Sequence, residues 1–250
     1  MSRKLFPIAA VLSLFSFCQA AEEVPTIRVE LRMLAFAPSL QQKDAFAHDP
    51  AAEVGAASVA APIKTYLNHE FSTLQLKSRK VVFTTKPDRE SLTREADRIG
   101  EVTLPEGVSS AILLFLPANA GGKGTCQIMT INDAVKAFPA GSYHATNLSP
   151  LPVRLMLEQK AFEFKSGQTM LIENPPVRAG NQSGMRTFAF KNNAWAQIAT
   201  SLWPHPGKGR GVLVFFANPA TGEIQLKAFD DVPPRAPAEA GKAAAKPVAR

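Results

Sequence analysis

The chain has 250 residues, a formal net charge of +7 and 46% hydrophobic side chains, enough apolar material for one large domain or two of ordinary size. That content excludes a chain disordered throughout. With 15 Gly and no sustained heptad, the collagen-like and coiled-coil classes fall away as well.

The chain opens with Arg3 and Lys4, an apolar run over 5–17 and small residues up to Ala20. This is the layout of a secretory signal peptide, 1–20, cleaved after Ala20. The run is shorter than the roughly 20 residues that cross a bilayer, and Phe17 stands where a lipoprotein cysteine at 18 needs a small neighbour. The expected product is exported, periplasmic or extracellular, without a membrane span. Removing Cys18 leaves Cys126 alone, so an internal disulfide is not expected, and Cys126 reads as a small strand residue.

Past the leader the chain reads mostly as short strands. Residues 27–33 (IRVELRM) alternate apolar and charged, which predicts one buried and one wet face. The Ala-rich 38–62 reads as a long surface loop. Residues 88–99 (DRESLTREADRI) carry a helical pattern with Asp88 as N-cap, and 132–138 suggest one further turn. Residues 153–158 and 162–165 pair as a hairpin, as do 187–190 and 195–198 about Asn192-Asn193. The wholly apolar 211–216 is expected as a central strand. After a turn at 218–222, residues 224–229 return with alternation.

Two segments echo one another about a hundred residues apart. Residues 110–117 and 126–133 form a buried strand, a loop, an alternating strand and an acidic end; 210–216 and 223–231 repeat that order. Nearer the N-terminus, 66–68 leading to 74–76 loosely resembles 143–147 leading to 153–155. The predicted architecture is all-β: two tandem immunoglobulin-like β-sandwich domains, 24–133 and 134–232, followed by a disordered Pro/Ala/Lys-rich tail, 233–250.

The charge divides unevenly. The leader carries +2, and Arg235, Lys242, Lys246 and Arg250 against Glu239 give the tail +3. That leaves 22 basic and 20 acidic side chains between them. A near-neutral body with interleaved signs is a solvated surface, not a phosphate-binding stripe, so no nucleic-acid partner is expected. The four tail cations are a candidate tether to an anionic polymer or surface.

Chemical motifs are sparse. His48, His69, His144 and His205 have no ligand partners at metal-site spacing, so no metal or cofactor is expected. No G-x-S-x-G elbow occurs. The Gly runs at 121–125 and 207–211 lack the phosphate-loop pattern and precede strands. Asp230 and Asp231 read as solvated acids at a domain end. Asn147-Leu148-Ser149 and Asn181-Gln182-Ser183 fit the N-glycosylation pattern. Thirteen of the 16 Phe lie beyond residue 20, an aromatic content suited to a core, while Trp195, Trp203 and Tyr143 are the candidates for a ligand platform.

The function expected is that of a non-catalytic scaffold or interaction module of the cell envelope, with an envelope protein or anionic polymer as partner. The first alternative is an extracellular carbohydrate- or polymer-binding protein using Trp195, Trp203 and Tyr143. The second is a hydrolase assembled from distant residues, for which a pocket bringing His144 or His205 near a carboxylate would be the sign.

Overall fold

The computed structural model describes residues 26–118 and 124–233. The leader, Cys18, the Gly-rich 119–123 and the tail with Arg235, Lys242, Lys246 and Arg250 lie outside the described residues. The described residues are all-β, built as four four-stranded sheets.

The first half contributes β1 (Ile27–Ala35), β2 (Phe46–His48), β3 (Val59–Ala60), β4 (Ser72–Leu76), β5 (Lys80–Thr84), β6 (Arg98–Thr103), β7 (Ser110–Pro117) and β8 (Cys126–Asn132). The second contributes β9 (Ser142–Asn147), β10 (Val153–Leu157), β11 (Lys160–Phe164), β12 (Thr169–Glu173), β13 (Gln182–Lys191), β14 (Ala194–Pro204), β15 (Arg210–Ala217) and β16 (Ile224–Asp231). The sheets of the first half run β4-β1-β7-β8 and β3-β2-β5-β6; those of the second run β12-β9-β15-β16 and β11-β10-β13-β14. Adding eight to each strand number of the first half gives the second.

The likeness extends to fine detail. Both halves pair their first and seventh strands in parallel, with Leu31 opposite Ala111 and Tyr143 opposite Gly211. A register shift interrupts both the β5–β6 and β13–β14 ladders, with Ile99 and Ile198 as the extra residues. Such a bulge turns the strand and switches which face its side chains occupy. The first and second strands of each half lie in opposite sheets, which differs from the immunoglobulin order, where they are neighbours in one sheet.

Each half has its own core, filled from both of its sheets. Leu31, Phe83 and Phe115 lie at the centre of the first, Leu155, Phe164 and Phe215 at the centre of the second. A third apolar cluster joins the halves: Leu34, Ile112 and Leu114 of the first meet Phe138, Val212 and Val214 of the second. Phe36 packs edge-on to Phe216 at 4.9 Å across this boundary. The central strands β7 and β15 of the β4-β1-β7-β8 and β12-β9-β15-β16 sheets are therefore buried on both faces along most of their length.

That coverage corrects one expectation in part. On the face of β1 that the alternation marks as wet, Arg28 and Glu30 are open to solvent, but Arg32 is only 2% exposed, because the second half lies over it. Other departures are local. Residues 88–99 are not an α-helix but two 3-10 turns, Arg89–Leu92 and Glu95–Asp97, before β6 begins. Asp88 is nevertheless the N-cap, its Oδ1 accepting from the Ser91 N–H at 3.0 Å. The tract 38–62 holds a 3-10 turn, β2 and β3 as well as loop. The looser of the two echoes does not hold either, since residues 66–68 are outside any strand while β9 corresponds in order to β1. Both hairpins form, and Asn192 and Asn193 close theirs with φ of 53° and 60°, as a two-residue type I′ turn requires.

Candidate functional site

Two features stand out: a buried charge cluster where the halves meet, and a cleft that opens beside it in the second half.

The cluster has two arginines and two aspartates. Arg32 Nε and Nη2 donate to the Asp133 carboxylate at 2.8 and 2.7 Å, and Nη1 and Nη2 donate to Asp231 at 2.7 and 2.8 Å. Arg210 Nε donates to Asp231 at 2.7 Å, and its Nη2 pairs with Asp133. Arg210 also lies 4.2 Å above the Phe138 ring. Each cation thus holds one carboxylate of its own half and one of the other. All four side chains are essentially excluded from solvent. Burial alone would lower the Arg32 pKa, but its hydrogen bonds and attraction to Asp231 and Asp133 outweigh this and raise it. Four charges summing to zero, each multiply hydrogen-bonded, meet the condition on which ion pairs survive in an interior. Asp231, read from sequence as a solvated acid, belongs to this cluster; only Asp230 beside it is exposed.

The cleft, about 450 Å³, lies between the two sheets of the second half at one end. Its walls are Tyr143, Trp203 and the Pro204-His205-Pro206 turn on one side and the end of β16 with Asp230 on the other. Arg210 and Asp231 also line it. Gly211 makes the aromatic wall possible. A Cβ there would meet Tyr143 Cδ1 at 2.8 Å, so the phenol ring lies over the bare backbone of its partner strand. Trp203 packs on Tyr143 at 5.6 Å between ring centres. The Tyr143 hydroxyl donates to the Pro204 carbonyl at 3.2 Å, and burial, then the nearby Asp230, pushes its pKa up to about 12. It is a fixed donor, not a titrating group.

His205 has one tautomer when neutral. Its Nδ1 accepts from the Gly207 N–H at 2.9 Å, which places the ring proton on Nε2. The cleft therefore offers an imidazole donor at His205 and a carboxylate acceptor at Asp230.

Of the three platform candidates, Tyr143 and Trp203 come together and Trp195 does not join them. The bulge at Ile198 is the reason: Trp203 turns toward the core, whereas Trp195 lies on the outer face, 5.2 Å from Phe190, with the Arg154 guanidinium 4.1 Å from its ring centre. Tyr143 is 9% exposed and Trp203 half-buried. Sequence reasoning passed over Arg32, Asp133 and Arg210 as site residues, and named His205 only for the hydrolase alternative. The acidic ends of the repeated segments were the available signal for the cluster, since they mark Asp133 and Asp231 as equivalent.

Of the remaining histidines, His144 lies at the boundary between the halves, 5.7 Å from Phe138, and burial lowers it to about 4. His48 bonds Thr84 Oγ1 at 2.7 Å. Among the described residues, no group of three or more His, Cys, Asp or Glu is placed to hold a metal ion, and no helix is long and apolar enough to cross a membrane. Asn147 is fully buried and donates to the Leu151 carbonyl at 2.8 Å, so its sequon is closed in the folded chain, whereas Asn181 is exposed. A scan against models of protein families and a search of curated proteins both return no match.

Proposed function

We propose that the chain is an exported, non-catalytic interaction module of the cell envelope, made of two tandem sandwich domains, 24–133 and 134–232. Each is immunoglobulin-like in size and two-sheet packing, though not in strand order. The contact surface is the free edge of β14, to which an extended segment of a partner protein adds as a further strand.

The observation that carries this reading is the character of that edge. β14 is 11 residues long, pairs among the described residues only with β13, and its sequence AWAQIATSLWP has no charged side chain and a proline only at its end. Sheet edges ordinarily carry charges or prolines that block pairing with other chains, as Arg98 and Glu101 on β6, Lys160 and Glu163 on β11, Glu173 on β12 and Lys227 on β16 do here; the uncharged edges β3, β4 and β8 are shorter than β14, at 2, 5 and 7 residues. Leu202, on β14, is 46% exposed. A long uncharged edge suits strand addition, in which main-chain bonds supply affinity and alternate side chains supply selectivity. The buried charge cluster supports a rigid scaffold role, because it ties the two halves to each other.

The hydrolase alternative gains a pocket with His205 and two carboxylates but no imidazole base, and its one unpaired carboxylate, Asp230, is exposed at the rim. Nε2 of His205 bears the proton, Nδ1 is occupied by a backbone N–H, and Asp231 is held between two arginines.

The test is affinity capture from an envelope extract with the wild-type chain and with Thr200→Lys/Leu202→Lys. A partner retained by the first and lost by the second supports the reading. Capture of the same protein by both, or a wild-type chain recovered free in the soluble fraction, refutes it.

A further inference from the structure

We propose that the cleft at the end of β14 is a binding site for a neutral pyranose oligosaccharide, independent of the β14 edge. One sugar ring stacks on the open face of Trp203, its hydroxyls donating to Asp230 and accepting from His205 Nε2.

The two halves of the protein supply the main argument. They share strand order, parallel pairing and bulge, so each residue of the cleft has an equivalent fixed by register. Tyr143 corresponds to Leu31, Gly211 to Ala111 and Asp230 to Asn132. In the first half Leu31 and Ala111 are both 0% exposed and fill an ordinary core. The fold therefore asks only for an aliphatic side chain opposite a small one. The second half instead places a tyrosine over a bare glycine, lays a tryptophan against it and leaves a carboxylate exposed at the rim. None of these is required for packing, and together they leave a cleft where the first half has core.

The chemistry of the lining selects the ligand. Pyranose rings present one face of C–H bonds and an edge of hydroxyls, each able to donate and accept. Trp and Tyr provide apolar faces with polar tips. Asp230 accepts from hydroxyls and the Nε2–H of His205 donates to them, so both functions of a sugar edge are met. The Arg210 and Asp231 charges lining the cleft are already paired with each other, which leaves no free cation for a phosphate or carboxylate. A volume of about 450 Å³ lies in the range of small-ligand sites and holds one to two sugar rings. The competing ligand is an organic cation, which the same rings and Asp230 would attract. Against it, His205 presents a donor at the same rim, which a cation cannot use.

Tryptophan fluorescence of the full chain is titrated with maltotetraose, cellotetraose and N-acetylchitotetraose, and with choline as the cation. Expected is a saturable change with at least one tetrasaccharide. Its Kd weakens at least tenfold in Asp230→Asn and His205→Phe and is unchanged in Trp195→Phe, which lies on the other face. Asp230 is exposed, so its variant keeps the wild-type Tm and separates lost binding from lost folding. Thr200→Lys/Leu202→Lys binds sugar as wild type does, whatever becomes of the β14 partner. No saturable change with any tetrasaccharide overturns the proposal. So does a response to choline alone, or sugar binding that Asp230→Asn and His205→Phe leave intact.

Discussion

Asp133 and Asp231 are equivalent residues, one at the end of each half, and both carboxylates bond the same guanidinium, that of Arg32. The duplication explains why the cluster takes this form. Stacking two like sheets face to face brings two like residues together, and two buried carboxylates repel strongly unless cations are supplied. The cations are not equivalent to one another. Arg32 comes from β1, where the second half has His144 in register, and Arg210 from β15, where the first half has Ser110. The carboxylates obey the internal repeat, whereas the arginines break it and make the boundary specific.

Removing one arginine leaves a buried carboxylate uncompensated. Arg210→Met is expected to destabilise the chain by about 3–5 kcal/mol, which for this size lowers Tm by about 6–20 °C. Replacing all four residues together by apolar side chains of like volume costs far less, since it removes the desolvation penalty along with the attraction. Thermal unfolding of the single and quadruple variants checks this. A quadruple variant as unstable as the single one would mean that the charges do more than fix the boundary.

The Tyr143–Gly211 pair makes a second expectation. In Gly211→Ala the new methyl meets the phenol ring at 2.8 Å, so the ring must move, at a cost of about 1–3 kcal/mol. Adding Tyr143→Leu recreates the Leu31–Ala111 pair of the first half and recovers most of the loss. A double-mutant cycle measures the coupling. Additive losses would show that the ring and the glycine do not depend on each other.

Alternation and turn residues located most strands because both signals are local: Asn192-Asn193 dictates its hairpin wherever it occurs. The repeat was legible from 110–133 and 210–231, where strand, loop and acidic end recur together. The burial of Arg32 is not legible because alternation reports polarity, not exposure, and nothing in IRVELRM reveals that a second sheet covers Arg32 while leaving Arg28 and Glu30 open. The platform was half legible for a related reason. Trp195 and Trp203 are eight apart, which on a regular strand places them on one face, and the bulge at Ile198 separates them. A bulge depends on the partner strand as well as on its own. His205 acquires its role only from the Gly207 N–H that fixes its tautomer.

Cys126 is expected to be inert in the folded chain. Its thiol is 6% exposed at the start of β8, and burial raises its pKa, so little thiolate forms near neutral pH. A chromogenic disulfide reagent at pH 8 should modify it at the rate of unfolding, many times slower than in denaturant. Rapid labelling of the native chain would place the thiol in an open site.

His144 should make the protein sensitive to mild acid. Its imidazole titrates near 6.5 in the unfolded chain and near 4 when folded, because burial beside Phe138 at the boundary disfavours the cation. Between these values the unfolded chain binds more protons, so stability is complete above about pH 6.5 and falls as pH drops toward 4. One such group accounts for at most about 3 kcal/mol over that window. His48, lowered by its own burial, adds in the same direction. Urea unfolding of wild type and His144→Leu between pH 4 and 7.5 reads the difference. The variant should show a shallower loss, with the curves diverging only below pH 6.5. Parallel curves over the whole range would mean that His144 reaches water at the boundary and titrates normally.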